Sequence, residues 1–120
     1  MHLQESGEMY LETIYILTER KAAVRSIDIC DEMGFSKPSV SRAVGLLKSG
    51  GYITVDEDGH IALTDIGREV AKKIYRRHEV LTSFLVSIGV PRDIAQDDAC
   101  RIEHHISDAT FAAIENHTKR

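Results

Sequence analysis

The sequence is short of cysteine and of long apolar runs. Its 120 residues include two cysteines, Cys30 and Cys100, too few for the disulfide framework of a small secreted protein. No apolar run approaches the roughly 18 residues of a membrane span, and the first five residues lack the basic and apolar regions of a signal peptide. These absences predict a cytoplasmic protein without a membrane partner.

Positive charge is also in short supply. Fifteen bases against nineteen acids give a net charge of −4, which disfavours nucleic acid as a partner. The charges are unevenly spread, however. Residues 36 to 48 hold Lys37, Arg42 and Lys48 without an acid, whereas residues 78 to 120 hold seven acids against four bases. We therefore predict a basic N-terminal lobe and an acidic C-terminal lobe.

Apolar periodicity and turn residues predict three helices in the first lobe. Apolar positions at three-to-four spacing predict a helix from Ser6 to about residue 21. A second helix is predicted to be capped by Ser26 and ended by Gly34, and a third to be capped by Ser36 and ended by Gly50. Two short helices in this order are typical of a helix-turn-helix.

A hairpin is predicted directly after the third helix. The apolar stretches 52–55 and 60–63 flank the acidic turn 56–59, and the Asp-Gly pair of that turn is a strong hairpin signal. A hairpin at this position is the wing of a winged helix. Thr64 can then cap a long helix from residue 65 to about 88.

Two further helices complete the prediction, one from residue 92 to about 106 and one from 107 or 108 to 116. The expected fold is therefore mainly α. A winged helix-turn-helix DNA-binding domain is predicted at residues 1–74, and a second, α-helical domain at residues 75–120.

The third helix carries the predicted DNA contacts. In a helix-turn-helix the second helix enters the major groove with its N-terminal residues at the base edges. Hydroxyls can bond bases or phosphates, and Arg42 can reach a guanine edge or the backbone. The acidic wing tip at 56–58 would repel phosphate, which leaves open a winged helix that binds protein. The predicted DNA-binding residues are Ser36, Lys37, Pro38, Ser39, Ser41 and Arg42.

A second candidate site lies near the C-terminus. On a helix that advances about 100° per residue, Cys100, Glu103 and His104 fall within a sector of about 100°. A thiolate, a carboxylate and an imidazole together suit a divalent transition metal. The alternative is a buried Cys100 beside a surface pair formed by Glu103 and His104. Met9, Glu12 and His78 are more distant candidate ligands.

Two other functions use the same residues. One is a redox-sensing winged helix in which Cys100 or Cys30 reacts with an oxidant. The other is a metal hydrolase with a catalytic zinc at Cys100, Glu103 and His104. No substrate-pocket signature supports the hydrolase, so we predict that the protein is not an enzyme.

Five stretches, in order and spread over almost the whole chain, resemble one known family. They are EMYLETIY (8–15), SKPSVS (36–41), LTDIG (63–67), RHE (77–79) and DACRIEHHISD (98–108). The sequence is similar in these stretches to the diphtheria-toxin-repressor and manganese-transport-regulator family of metal-dependent transcriptional repressors. The resemblance implies a homodimer whose helical domains bind metal and pair. Its winged helices are then expected to bind a palindromic operator of metal-uptake genes when metal is bound.

The resemblance also implies a metal. The effector site of the iron-type members is formed by residues that match Met9, Cys100, Glu103 and His104. Manganese-type members carry an aspartate in place of Met9 and a glutamate in place of Cys100. A thioether and a thiolate suit softer ions than Mn²⁺. The expected effector is therefore Fe²⁺, with Mn²⁺ as the second choice, and Co²⁺, Ni²⁺ and Zn²⁺ are expected to substitute.

A second metal site differs between the two types. The iron type uses a glutamate and a histidine where this chain has Thr82 and Gln96, together with an SH3-like domain that would follow the last residue of this sequence. We expect that site to be absent or altered, in a short form without the third domain. Residues that match Glu12, His78 and Glu103 form the second site of the manganese type, so the resemblance implies an iron-like site beside a manganese-like one.

Overall fold

The computed structural model of the protein describes residues 5–119. This part of the chain contains α1 (Glu5–Arg20), α2 (Ser26–Met33), α3 (Lys37–Ser49), β1 (Ile53–Val55), β2 (Ile61–Leu63), α4 (Asp65–Ser87), α5 (Arg92–Ile102) and α6 (Asp108–Thr118). The prediction of a mainly α fold is confirmed. None of these helices combines the length and the apolar character that crossing a membrane requires. Residues 1–4, which entered the signal-peptide argument, lie outside the described residues.

The chain divides into two compact units, residues 1–72 and residues 73–120. The boundary after residue 74 stays a prediction. In the first unit, α1 buries one face against α2, α3 and the hairpin, as its three-to-four spacing predicts. The fully buried side chains at the centre of this core are Leu11, Ile14, Val24, Ile29, Val40 and Ile53.

The helix-turn-helix begins one residue earlier than predicted. Arg25, and not Ser26, is the N-cap of α2, and its N–H is bound at 2.8 Å by the carboxylate of Asp28. The Lys21 ammonium and this N–H both bind that carboxylate and lower the pKa of Asp28. Gly34 ends α2 in the left-handed conformation at φ 70°, as predicted. Ser36 begins α3 as its N-cap, also as predicted.

Hydrogen bonds to an acidic side chain stabilise the turn at the wing tip. Strands β1 and β2 pair antiparallel, with Ile53 opposite Leu63. Between them, the Asp56 carboxylate accepts the backbone N–H groups of Asp58 at 2.9 Å and His60 at 2.8 Å. These hydrogen bonds, led by the one from His60, lower the pKa of Asp56. The acid at the start of the tip is therefore a structural part of the hairpin.

Glycine at position 67 lets α4 start close to the hairpin. Thr64 caps α4, because its Oγ1 accepts the N–H of Gly67 at 3.0 Å and donates to the carbonyl of Gly51 at 2.7 Å. A Cβ atom at position 67 would lie 1.9 Å from the carbonyl oxygen of Tyr52. No side chain fits there without a backbone shift.

The second unit holds the end of α4 together with α5 and α6. Leu81 and Ala99 are among its buried side chains, whereas α6 has no buried residue. Polar and aromatic contacts attach α6 to α4. They join Arg76 to Glu115, Arg77 to Asp108 and the rings of Phe84 and His117, whose centroids are 6.0 Å apart.

The predicted division into a basic and an acidic lobe is wrong. The first unit carries eight bases and twelve acids, and the second unit seven of each. The acids of α1, α2 and the wing tip outweigh the bases of the first unit. The positive charge is local, since α3 carries Lys37, Arg42 and Lys48 and no acid.

Candidate metal centre and nucleic-acid face

The candidate ligands Cys100, Glu103 and His104 lie where α5 ends. The helix was predicted to continue to about residue 106, and this is wrong, because α5 stops at Ile102. The carbonyl oxygen of Ile102 accepts two N–H groups, those of His105 at 2.9 Å and Ile106 at 3.1 Å, which tightens the chain into a turn. We call residues 103–106 the ligand turn.

The end of the helix leaves the three side chains together. Glu103 keeps right-handed helical angles, with φ −58° and ψ −26°, and its N–H still binds the carbonyl of Ala99 at 2.9 Å. The Cys100 sulfur, one Glu103 oxygen and one His104 ring nitrogen all lie within 4.8 Å of one another. The three side chains therefore converge as the helical spacing predicts.

The Glu103 carboxylate is the centre of this cluster. It has no exposed surface, and its two oxygens face different imidazoles. Oε1 lies 3.2 Å from Nε2 of His104, whose side chain is also fully buried, and Oε2 lies 3.1 Å from Nδ1 of His78. A buried carboxylate is costly without a compensating charge or hydrogen bonds. The structure thus brings His78 of α4 to the ligand turn.

The donor set fits a divalent transition ion. Ligands bind such ions at about 2.0–2.3 Å, so two ligands of one ion lie at most about 4.6 Å apart. The sulfur, oxygen and nitrogen donors lie within 4.8 Å of one another, so the side chains need to move only slightly to meet this limit. Sulfur and imidazole nitrogen favour zinc or iron, and a buried carboxylate supplies the negative charge.

The other predicted ligands lie on α1, in the first unit. Met9 is half-buried, and its carbonyl accepts the hydroxyl of Thr13 at 2.9 Å. Glu12 is only 8% exposed, so it is not a solvated carboxylate on the helix surface. The metal-binding role of both residues stays a prediction.

Thr82 and Gln96 stand where iron-type members carry two ligands of their second metal site, and neither is suited to replace those ligands. Thr82 is buried, and its hydroxyl donates to the carbonyl of His78 at 2.8 Å within α4. Gln96 is exposed on α5. The role of Thr82 in the helix is therefore a backbone contact.

The N-terminal half of α3 presents a polar surface. Val40, Val44 and Leu47 are buried on the opposite side of the helix. Ser36 is committed to the cap, since its Oγ accepts the N–H of Ser39 at 3.4 Å and lies 3.0 Å from that residue's hydroxyl. The six predicted DNA-binding residues, which are all exposed, are Ser36, Lys37, Pro38, Ser39, Ser41 and Arg42.

Sequence reasoning missed one residue beside the cluster. Arg77 donates from Nη1 to the carbonyl oxygens of Glu103 at 3.4 Å and Ile106 at 3.3 Å. It belongs to a stretch that resembles the known family, but it precedes Glu103 by 26 residues. No periodicity within one helix links positions so far apart.

Two family profiles cover nearly the whole chain. Residues 2–61 match the iron-dependent repressor N-terminal DNA-binding domain, and residues 64–120 match the iron-dependent repressor metal-binding and dimerisation domain. The second match includes the complete ligand turn and His78.

Curated relatives carry names of both metal types. A regulator named MntR from Bacillus pumilus is 36% identical over 102 residues, which cover 85% of this chain and 71% of the relative. The iron-dependent repressor IdeR of Mycobacterium tuberculosis is 36% identical over 107 residues, or 88% of this chain and 46% of the relative. The two identities are equal, so they do not select a metal.

Solved structures share the fold. The manganese regulator SloR superposes with a TM-score of 0.83 at 28% identity, over 99% of this chain and 55% of that one. A manganese-dependent transcriptional repressor in complex with manganese superposes with a TM-score of 0.84 at 31% identity, over 92% of this chain and 51% of that one. The chain thus spans about half the length of these solved relatives.

Proposed function

Because the chain belongs to the iron-dependent repressor family of DNA-binding, metal-binding and dimerising regulators, we propose that it represses metal-uptake genes when Fe²⁺ is bound. The active species is a homodimer that binds a palindromic operator, and it acts in the cytoplasm. The family consists of regulators and not enzymes, which confirms the prediction that the protein is not an enzyme and removes the hydrolase alternative.

The observation that carries the proposal is the cluster at the ligand turn. Cys100, Glu103 and His104 converge within the part of the chain that matches a metal-binding domain. In the proposal these three side chains hold the effector ion together with Met9, whose place in this site is implied by the family resemblance. The bound ion supplies positive charge beside a carboxylate that has no exposed surface.

Fe²⁺ is preferred over Mn²⁺ because of the donor atoms. The proposed set contains a thiolate and a thioether, whereas Mn²⁺ favours carboxylates and water. Geometry and metal availability also govern selectivity, so Mn²⁺, Co²⁺, Ni²⁺ and Zn²⁺ are expected to bind in solution.

A second ion is proposed beside the first. Its ligands are Glu12, His78 and Glu103, in the layout of the manganese type. Support comes from the Glu103 carboxylate, whose two oxygens face His104 and His78 respectively. One carboxylate can in this way serve two ions.

DNA is bound by α3 in the proposal. Its exposed N-terminal residues carry hydroxyls and positive charge without an acid. Metal acts on DNA binding by its greater affinity for the arrangement that binds the operator, and operator binding then strengthens metal binding to the same degree.

The decisive experiment measures how DNA affinity depends on the metal supplied, in the wild type and in a variant of each cysteine. A target sequence is first selected from random duplex DNA with metal-loaded protein, and its affinity is then measured with Fe²⁺ under anaerobic conditions, Mn²⁺, Zn²⁺ or a chelator. We expect Cys100→Ala to lose metal-dependent binding, because the thiolate ligand is gone. Cys30→Ala is the matched control, since Cys30 packs against the core of the first unit, and it should respond as the wild type does.

Three outcomes would contradict the proposal. Equal DNA affinity with metal and with chelator would exclude metal activation. An unchanged metal response in Cys100→Ala would exclude Cys100 as a ligand. Peroxide-sensitive DNA binding by the metal-free protein would favour the redox-sensing alternative.

A further inference from the structure

Arg77 on α4 contacts both ends of the ligand turn. Its side chain is only 13% exposed. Nη1 donates to the carbonyl oxygen of Glu103 at 3.4 Å and to that of Ile106 at 3.3 Å, the first and last residues of the turn. One nitrogen atom therefore spans the segment that carries two of the proposed ligands.

The same guanidinium is fixed from the other side by α6. Nη2 pairs with the Asp108 carboxylate in the first turn of α6, and the guanidinium carbon lies 5.2 Å from the centroid of the Phe111 ring. A guanidinium has five N–H donors in a rigid plane and can satisfy such partners at once, which a lysine ammonium cannot do in the same geometry.

The contacts matter because the ligand turn is no longer helical. The last carbonyl groups of a helix have no partner within the helix. After α5 ends at Ile102, Arg77 supplies donors for two of the carbonyl groups that follow. The backbone of Glu103 is thereby held in the conformation that directs its carboxylate toward His104 and His78.

We propose that Arg77 is a positioning residue that holds the ligand turn ready for metal. The inference rests on the proposed function, because it concerns the affinity of the proposed metal site. Without Arg77 the turn would sample other conformations, and metal binding would have to order it at a cost in affinity. Loss of groups that orient metal ligands typically lowers metal affinity by about 10–100-fold.

The first measurement is metal affinity, with the neighbouring arginine as control. Co²⁺ is the probe, because its visible absorption reports the ligand geometry as well as the amount bound. We expect Arg77→Lys to bind Co²⁺ about tenfold more weakly and with an altered spectrum. Arg76→Lys is expected to match the wild type, since Arg76 pairs with Glu115 on α6.

A milder variant covers the case in which Arg77→Lys does not fold. Asp108 is 81% exposed, so Asp108→Asn removes the ion pair with Arg77 at little risk to the fold. It leaves the guanidinium able to reach the two carbonyl groups. We expect Co²⁺ affinity to fall by about two- to fivefold, less than in Arg77→Lys, because an exposed ion pair contributes little. Wild-type affinity in Asp108→Asn would overturn the part assigned to α6.

The second measurement needs no metal. In the metal-free protein, the N–H groups of His105 and Ile106 bind the carbonyl of Ile102 inside the ligand turn. Their hydrogen exchange should be faster in Arg77→Lys than in wild type and unchanged in Arg76→Lys. Thermal unfolding of each variant verifies that the chain is folded.

The outcomes separate the positioning role from the metal site itself. Unchanged Co²⁺ affinity or unchanged exchange in a folded Arg77→Lys variant would overturn the role of Arg77. A wild-type chain that binds no Co²⁺ would overturn the proposed metal centre, whatever the exchange rates show.

Discussion

Glu103 is the residue on which the two proposed metal sites depend. Its oxygens lie 3.2 Å from a nitrogen of His104 and 3.1 Å from a nitrogen of His78. In the proposal, His104 is a ligand of the effector site, whereas His78 is a ligand of the second site only. A change at His78 therefore separates the two sites.

Metal counting tests this separation. We expect two ions per chain for the wild type and one for His78→Ala in native mass spectrometry, because the variant keeps Cys100, Glu103 and His104. His105→Ala is the control, since His105 is exposed and has no assigned role, and it should keep two ions. One ion in both the wild type and His78→Ala would disprove the second site.

Short-range spacing was enough to predict the convergence of Cys100, Glu103 and His104. The prediction assumed a continuous helix, and the helix ends at Ile102, yet Glu103 retains helical backbone angles and the three side chains still meet. The approach of His78 and Arg77 to Glu103 depends on how α4 packs against α5. That packing has no signature in the local sequence. His78 was only a distant candidate ligand on the sequence alone, and the family resemblance placed it in the second site.

At the scale of elements, the start of α4 depends on Gly67. Gly67→Ala would place a Cβ atom 1.9 Å from the Tyr52 carbonyl oxygen. The resulting backbone shift should lower the free energy of unfolding by about 1–3 kcal/mol, measured by urea denaturation.

A second helical glycine provides the control for this prediction. Apart from its own stretch of helix, nothing lies within 4 Å of the Cβ position of Gly45 in α3. Gly45→Ala should therefore raise the free energy of unfolding by up to about 1 kcal/mol, from helix propensity alone. Equal effects at the two positions would show that the close approach at Gly67 is absent in solution.

The sequence predicted the order of the helices and the hairpin better than their ends. Gly34, Ser36 and Thr64 are caps whose chemistry is local, and each is found where it was predicted. The start of α2 was missed because the Asp28 carboxylate binds the N–H of Arg25 and moves the cap one residue back. Competition between two neighbouring caps is not visible in apolar periodicity.

For the whole molecule, net charge is a poor guide to the DNA-binding surface. The unit that contains α3 has four more acids than bases. Several of these acids have internal roles, such as Asp56 in the wing turn and Asp28 at the cap of α2. In the proposal, phosphate is contacted by the exposed bases of α3, a helix without an acid.

Salt dependence tests that conclusion. With metal-loaded protein, the logarithm of DNA affinity should fall linearly with the logarithm of salt concentration. Lys37→Gln should make the slope shallower by about 0.9, because its ammonium no longer neutralises a phosphate group. Lys119→Gln, at the exposed end of α6, should leave the slope unchanged. Affinity for DNA that does not vary with salt would instead favour a protein-binding winged helix.

The complete burial of the Glu103 carboxylate also sets a time scale. Water and chelators cannot reach a group without exposed surface until the surrounding chain opens. Release of an ion held by Glu103 in the proposed site would therefore require the surrounding chain to open, so its rate would depend on local unfolding as well as on the strength of the metal bonds. The contacts of Arg77 would then govern how long repression persists after the metal supply falls.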